Sequence, residues 1–248
     1  MKEQRIRLGV NIDHIATLRN ARGGKYPDVL RAAKTVKALG AERVTIHLRE
    51  DRRHIRDEDV YNICNWGELP VNLEIAATEE MLAIGLKYKP HSILMVPENR
   101  MERTTEGGLD VIAKHDVIGA MIKEFAKVGV KTSLFIEADE AQIKMAAKLM
   151  ANSIEIHTGE YCDAVIASDS SKADKCLIKI KEGAALAQSL GLEVHAGHGI
   201  TYECVSAIAG ISQIVELNIG HFLVSEAVFV GLESSIAKMR QLMDAARQ

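Results

Sequence analysis

Eight short segments of this chain read as strands, the first, second, third, sixth and eighth of them alternating apolar and polar residues one by one, and stretches with helical spacing of their apolar positions separate them. The first sets Leu8, Val10 and Ile12 against Gly9, Asn11 and Asp13. The second sets Val44, Ile46 and Leu48 against Thr45, His47 and Arg49. Similar runs begin at Val71, Ser92, Thr132, Ser153, Glu193 and Ile214. Successive strand side chains point to opposite faces, so the five alternating runs read as two-faced strands. The segments between them read as helices, among them Asp28–Leu39, one starting near Asp57, one capped by Thr78, one capped by Asp139, and a last one from Ser225 to about Ala246. The run Arg19–Lys25 reads as a polar loop.

Strands that alternate with helices imply a parallel sheet with helical crossovers, and eight such units close into a (β/α)8 TIM barrel. The 248 residues fit a single barrel domain over 1–248, with long connections after the fourth and sixth strands that leave room for extra helices. A doubly wound open sheet is the alternative. The first strand-to-helix turn lacks the Gly-x-Gly-x-x-Gly fingerprint of a dinucleotide site.

Strands buried on both faces usually read as continuous aliphatic runs. Here the second face carries Asn11, Asp13, His47, Arg49, Asn72, Glu74, Glu155, His157, Glu216 and Asn218. So many polar groups inside a barrel need each other, water or a ligand as partners. A purely structural barrel would not need them. Several fall at the carboxyl ends of strands, where barrel enzymes keep their sites.

The chemistry these residues permit is proton transfer. Glu74, shielded by an aliphatic strand, would have its pKa raised toward the working pH. His47 and His198 titrate near neutrality without special help. Taken singly, Glu74 could instead pair with Arg49, and His47 or His157 could be satisfied core histidines. Phosphate is the expected anion, held by the loops after the seventh and eighth strands, Gly197-His198-Gly199 and Gly220-His221. Arg49, Arg52, Arg53 and His54, with Thr104 and Thr105, suggest a second anion locus. Two loci point to two phosphorylated groups.

A net charge of -3 gives no reason to expect nucleic acid or a membrane surface as partner. No apolar run approaches the roughly 20 residues that span a bilayer. Scattered Cys64, Cys162, Cys176 and Cys204 suit reduced thiols in a cytoplasmic protein better than a disulfide framework or structural zinc. A catalytic metal is not expected either, since His195 and His198 find no third ligand by spacing.

The motifs Asn11-Ile12-Asp13-His14-Ile15-Ala16-Thr17-Leu18-Arg19-Asn20-Ala21-Arg22 and His47-Leu48-Arg49-Glu50-Asp51-Arg52-Arg53-His54-Ile55 are long and specific. With Asn72-Leu73-Glu74, Thr104-Thr105-Glu106-Gly107-Gly108, Glu155-Ile156-His157-Thr158-Gly159, Ala196-Gly197-His198-Gly199 and Glu216-Leu217-Asn218-Ile219-Gly220-His221, the chain resembles the pyridoxine 5'-phosphate synthase family from about Leu8 to its last helix. The resemblance implies condensation of 1-deoxy-D-xylulose 5-phosphate with 3-amino-2-oxopropyl phosphate to pyridoxine 5'-phosphate, phosphate and water, with no metal or organic cofactor.

Carried over motif by motif, it implies His47 and Glu74 as proton acceptors, His198 as proton donor and Glu155 as a stabiliser of transition-state charge. It further implies Asn11, Arg22, Gly199, Gly220 and His221 as ligands of the aminoketone phosphate. Asp13, His14, Arg49, His54 and Thr104 would hold the deoxyxylulose phosphate. The family's assembly implies a homo-octamer built from dimers. The loop Arg100–Gly108 is the expected lid. One departure is visible: His195 stands where the family commonly has Asn, and is expected to alter packing or pKa near His198. The alternatives are another phosphate-binding barrel enzyme, an aldolase or isomerase, and a non-catalytic phosphosugar-binding protein. A Schiff-base aldolase needs a lysine facing inward near a strand's carboxyl end, and none of the eight strands offers one.

Overall fold

In a computed structural model, which describes residues 5–99 and 107–248, the polar face of each alternating segment turns to a common axis and the aliphatic face turns to a ring of helices. The strands are β1 (Arg7–Asn11), β2 (Arg43–His47), β3 (Val71–Ile75), β4 (Ser92–Met95), β5 (Lys131–Ile136), β6 (Ser153–His157), β7 (Glu193–Gly197) and β8 (Ile214–Ile219). They close in chain order, each parallel to the next, with β8 returning to β1. The helices are α1 (Asp13–Arg22), α2 (Val29–Ala38), α3 (Asp57–Trp66), α4 (Glu79–Tyr88), α5 (His115–Lys127), α6 (Glu140–Lys148), α7 (Gly159–Ile166), α8 (Ser170–Ser189), α9 (Val205–Ala209), α10 (His221–Val230) and α11 (Leu232–Ala245). The fold is a (β/α)8 barrel with extra helices.

The core lies between the strands and the helix ring. Leu8, Val10, Ile46, Leu73, Ile75, Ile93, Ile136, Ile154 and Leu217 are sealed there. Each such side chain contributes about 1.5–3 kcal/mol by leaving water. The capping expectations hold: Thr78 accepts from the Met81 amide, and Asp139 accepts from the Ala141 and Gln142 amides.

Three readings change. Strand β1 ends at Asn11, and the Arg19–Lys25 segment is largely helix, because α1 runs from Asp13 to Arg22. Its buried face carries Arg19, which forms a bidentate ion pair with Asp59 at 2.5 and 2.9 Å and so replaces an apolar contact. The final helix is two, α10 and α11, because Gly231 adopts φ 82° between them. Among the described residues, no helix is long and apolar enough to cross a membrane.

The barrel interior is stacked in layers by register. At the amino-terminal end, Arg7 pairs across the seam with Glu216. Glu216 is fully buried and accepts from Arg7 Nε at 2.7 Å, and Arg43 Nε lies 2.9 Å away. His195 bonds Glu193 at 2.8 Å and has its Nδ1 3.7 Å from Glu216. The departure at His195 therefore acts in this charged floor. Above it, Thr45 donates to Asn218 Oδ1 at 3.0 Å, and Asn218 Nδ2 donates to Glu155 Oε2 at 2.7 Å. Gly197 makes this layer possible: a Cβ there would lie 2.1 Å from Glu155 Oε1.

Candidate active site

At the carboxyl ends of the strands a cavity of about 910 Å³ opens. It is lined by residues from β1, β2, β3, β6 and β8 and from the loops beyond them. Of the residues expected from sequence, Asn11, Asp13, His14, His47, Arg49, His54, Glu74, Glu155, His198, Gly199, Gly220 and His221 all reach it. Arg22 does not: it ends α1 at the surface, exposed. Thr104 and Arg100–Glu106 of the expected lid lie outside the described residues.

The first turn of α1 brings Asp13 back over the barrel. Its Oδ1 accepts from the His47 amide at 2.8 Å and its Oδ2 accepts from Asn11 Nδ2 at 2.8 Å. Register places His47 beside Glu74, with Nδ1 3.6 Å from Glu74 Oε2. Arg49 lies beyond the end of β2, so strand alternation does not place it. Its Nε is buried without a hydrogen-bond partner, leaving a donor for an incoming anion. Arg19 and Asn20 hold the next turn, donating to the His54 carbonyl at 3.0 and 2.8 Å. That turn sets the His54 ring 5.8 Å from His47.

On the opposite wall, Thr158 Oγ1 donates to the carbonyls of Gly197 and His198, at 2.8 and 2.7 Å. These bonds fix the loop in which His198 and Gly199 both adopt positive φ, 76° and 80°. The His198 ring meets His157 edge-on, with centroids 5.0 Å apart. Next to it, Gly220 precedes α10, whose first-turn amides lack intrahelical acceptors and whose dipole favours an anion. His14 and His221 face each other there at 4.8 Å.

Burial dominates the protonation of the carboxyls. It pushes Glu74 well above the ordinary carboxylate range, and the charges of Asp13 and Glu155 push the same way. Burial raises Asp13 to about 6 against the opposing charge of His47. Burial raises Glu155 to about 8, with Asn218's hydrogen bond opposing. Burial, then the charges of His47 and Arg49, lowers His54 to about 4. At neutral pH Glu74 and Glu155 thus keep their protons, Asp13 is largely ionised and His54 is neutral, a set poised to exchange protons.

The sign for Glu155 follows from linkage. An unfolded carboxyl ionises near its ordinary value, whereas the native one keeps its proton to about pH 8. Between those values native protein binds more protons, so stability falls as pH rises. Glu155→Gln mimics the protonated form. In urea unfolding at pH 5 and pH 8 the variant should lose less stability over that span than wild type, by about 1.4 kcal/mol per unit of removed shift. Equal losses in the two proteins would refute the raised value.

Two carboxylates escaped the sequence reading. Glu98 accepts from His47 Nε2 at 2.9 Å, and Glu137 pairs with His157 Nδ1 at 2.8 Å. Each stands immediately beyond a strand, after Pro97 and after Ile136, where the carboxyl-end rule alone would have marked it. The Glu74–Arg49 pairing does not form among the recorded ion pairs: Arg49 lies nearest Asp51 and Glu98. Contrary to the spacing argument on metals, the fold does gather three possible ligands, Asp13, His47 and His54, with donor atoms within 4.8 Å of one another. All three already have polar neighbours: the His47 amide on Asp13, Glu98 on His47, and the Ile55 amide on His54 Nδ1.

A protein-family model described as pyridoxal phosphate biosynthesis protein PdxJ matches residues 8–245. A pyridoxine 5'-phosphate synthase from Zymomonas mobilis is 55% identical over 244 residues, covering 98% of this chain and 94% of its own. One from Roseobacter denitrificans is 51% identical over 245 residues, covering 99% and 98%. Among solved structures, 3-keto-L-gulonate-6-phosphate decarboxylase from Vibrio cholerae superposes with a TM-score of 0.62 at 13% identity, over 98% of each chain. At that identity it speaks for the fold alone.

Proposed function

This chain belongs to the PdxJ family of pyridoxal phosphate biosynthesis proteins and is an enzyme of vitamin B6 synthesis, and from that premise we propose that its barrel mouth closes the pyridine ring of pyridoxine 5'-phosphate. The substrates are 1-deoxy-D-xylulose 5-phosphate and 3-amino-2-oxopropyl phosphate; phosphate and water are released. The observation that carries this reading is Glu74, a carboxyl with raised proton affinity, beside His47 on the wall of a cavity with two cationic or amide-rich ends.

One phosphate lies against the Gly199, Gly220 and His221 end with Asn11, where the α10 amides converge. The deoxyxylulose phosphate lies against Arg49, His54, Asp13 and His14, with the phosphate itself on Arg49. The amine of one substrate attacks the ketone of the other to give an imine. Glu74 enters the cycle protonated and exchanges its proton with His47 and the substrate. A carboxyl raised toward the imidazole range trades protons with little free-energy difference. His198 protonates leaving oxygen during phosphate loss and dehydration. Glu155, neutral and hydrogen-bonded to Asn218, faces the ring as charge develops. The protein's own acid–base groups suffice for these steps, so no cofactor enters the proposal.

The chain works as one barrel domain in the cytoplasm, which its free cysteines support. It assembles as a dimer-built octamer. The exposed apolar end of α10, with Val228 at 74% and Phe229 at 83%, supports an interface between copies.

The test is product formation from the two substrates, followed by absorbance and confirmed by mass. Wild type should form pyridoxine 5'-phosphate. His198→Asn, which keeps a residue tolerant of positive φ, should lower kcat by about 10²-fold with its melting temperature unchanged. Binding of both substrates by wild type without any product would sink the assignment.

A further inference from the structure

Behind His47, on the side away from the cavity, stands Glu98. Its side chain is only 3% exposed, and it does not line the cavity, although Val96 and Pro97 do. One oxygen faces His47 Nε2 at 2.9 Å; the other accepts from the Glu50 amide at 3.0 Å and lies 3.9 Å from Arg49 Nη2. The carboxylate therefore ties three things together: the loop after β4, the loop after β2 and the catalytic imidazole. Nothing in the reaction as described uses it.

Its charge state decides what it does. Burial opposes ionisation, but the hydrogen bonds from His47 and the Glu50 amide, with the Arg49 guanidinium nearby, bring Glu98 below its ordinary value. An ionised carboxylate only accepts. The proton of the bond to His47 must then sit on Nε2. A neutral imidazole with its proton on Nε2 has a lone pair on Nδ1. That atom is the one turned toward Glu74 Oε2, at 3.6 Å. The gap is too long for a direct hydrogen bond and short enough for one substrate atom, carrying the moving proton, to touch both groups.

We infer that Glu98 is a positioning residue that locks His47 in the Nε2–H tautomer and makes Nδ1 the nitrogen that exchanges protons with substrate and Glu74. The inference rests on the reading of His47 as a proton carrier. Its logic is that of any imidazole held by a carboxylate on one nitrogen so that the other can work: the carboxylate orients the ring, selects the tautomer and stabilises the imidazolium that forms in the cycle. Glu98 touches no reacting atom, so its loss should reach the rate and leave substrate binding nearly unchanged.

The experiment uses the full-length protein with 15N-labelled histidine, His47 being assigned by its disappearance in His47→Asn. In wild type, His47 should show a protonated Nε2 and a bare Nδ1. Glu98→Gln keeps an acceptor and should keep that tautomer, with kcat reduced about tenfold by loss of the charge that stabilises the imidazolium. Glu98→Leu should lose the tautomer preference and lower kcat by about 10²- to 10⁴-fold with KM within threefold. A proton found on Nδ1 in wild type overturns the inference without any variant, so a misfolded Glu98→Leu cannot shield it. So does a Glu98→Leu kcat within threefold of wild type, when His47→Asn is inactive. Wild-type kcat in His47→Asn itself overturns the reading of His47 as base, and the Glu98 inference falls with it.

Discussion

Glu74→Gln lowers kcat by about three orders of magnitude while both phosphorylated substrates still bind with Kd within threefold. Glutamine matches the shape of a protonated glutamate and keeps an oxygen and a donor beside Asn11 and His47. It cannot release or regain a proton. General acid–base catalysis by a positioned side chain contributes about 10²- to 10⁴-fold, and Glu74 is a buried carboxyl whose proton affinity is raised by burial and by the charges of Asp13 and Glu155. In the proposed reading the substrate phosphates dock elsewhere, on Arg49 and on the α10 amides, so binding should survive. Steady-state rates with calorimetric titration of each substrate separate the two effects. A chelator in the assay leaves the rate unchanged. A variant retaining a tenth of the wild-type kcat would remove Glu74 from the role of essential acid–base group.

Glu216→Gln destabilises the folded protein by about 3–5 kcal/mol, the cost of leaving buried cations without their counter-charge. Glu216 is wholly inaccessible, and it meets Arg43, itself buried, and Arg7. Burial works against its ionisation, yet His195, Arg43 and Arg7 together hold it below the usual carboxylate range. For a depressed carboxyl the stabilisation is full above the ordinary value and is lost as pH falls through the native one. The difference between wild type and variant should therefore be large at pH 7 and shrink below about pH 4. Denaturant unfolding at both pH values measures it; a loss under about 1 kcal/mol at pH 7 would show that the floor charges are screened by water.

Much of this was legible in the chain because the barrel's interior is polar. Had the inward positions been aliphatic, β2, β3, β6 and β8 would have read as featureless apolar runs. Asn72, Glu74, Glu155 and Asn218 instead declare which face points inward. The parity argument stops where the strands stop. Arg49 reaches the cavity from a loop, and Asp13 reaches it from the first turn of α1. That helix was invisible because Arg19, rather than an aliphatic residue, occupies its buried face, and the Asp59 that neutralises it lies 40 residues away. Glu98 was missed for the same reason: its meaning comes from His47, 51 residues earlier, and only closure of the barrel brings them together. Residues whose role depends on a distant partner leave no periodic trace.

The backbone at His198 has a bearing on how this enzyme could be improved. The residue holds φ 76°, a conformation that costs a side chain-bearing residue roughly 1–2 kcal/mol and glycine almost nothing. A laboratory selection that rewards heat resistance alone would favour glycine there, producing three glycines in a row between Ala196 and Ile200. The survivors would be sturdier barrels without the imidazole proposed as proton donor. Thermostable variants of this protein are therefore best sought in the helix ring and the charged floor, with codon 198 withheld from the library.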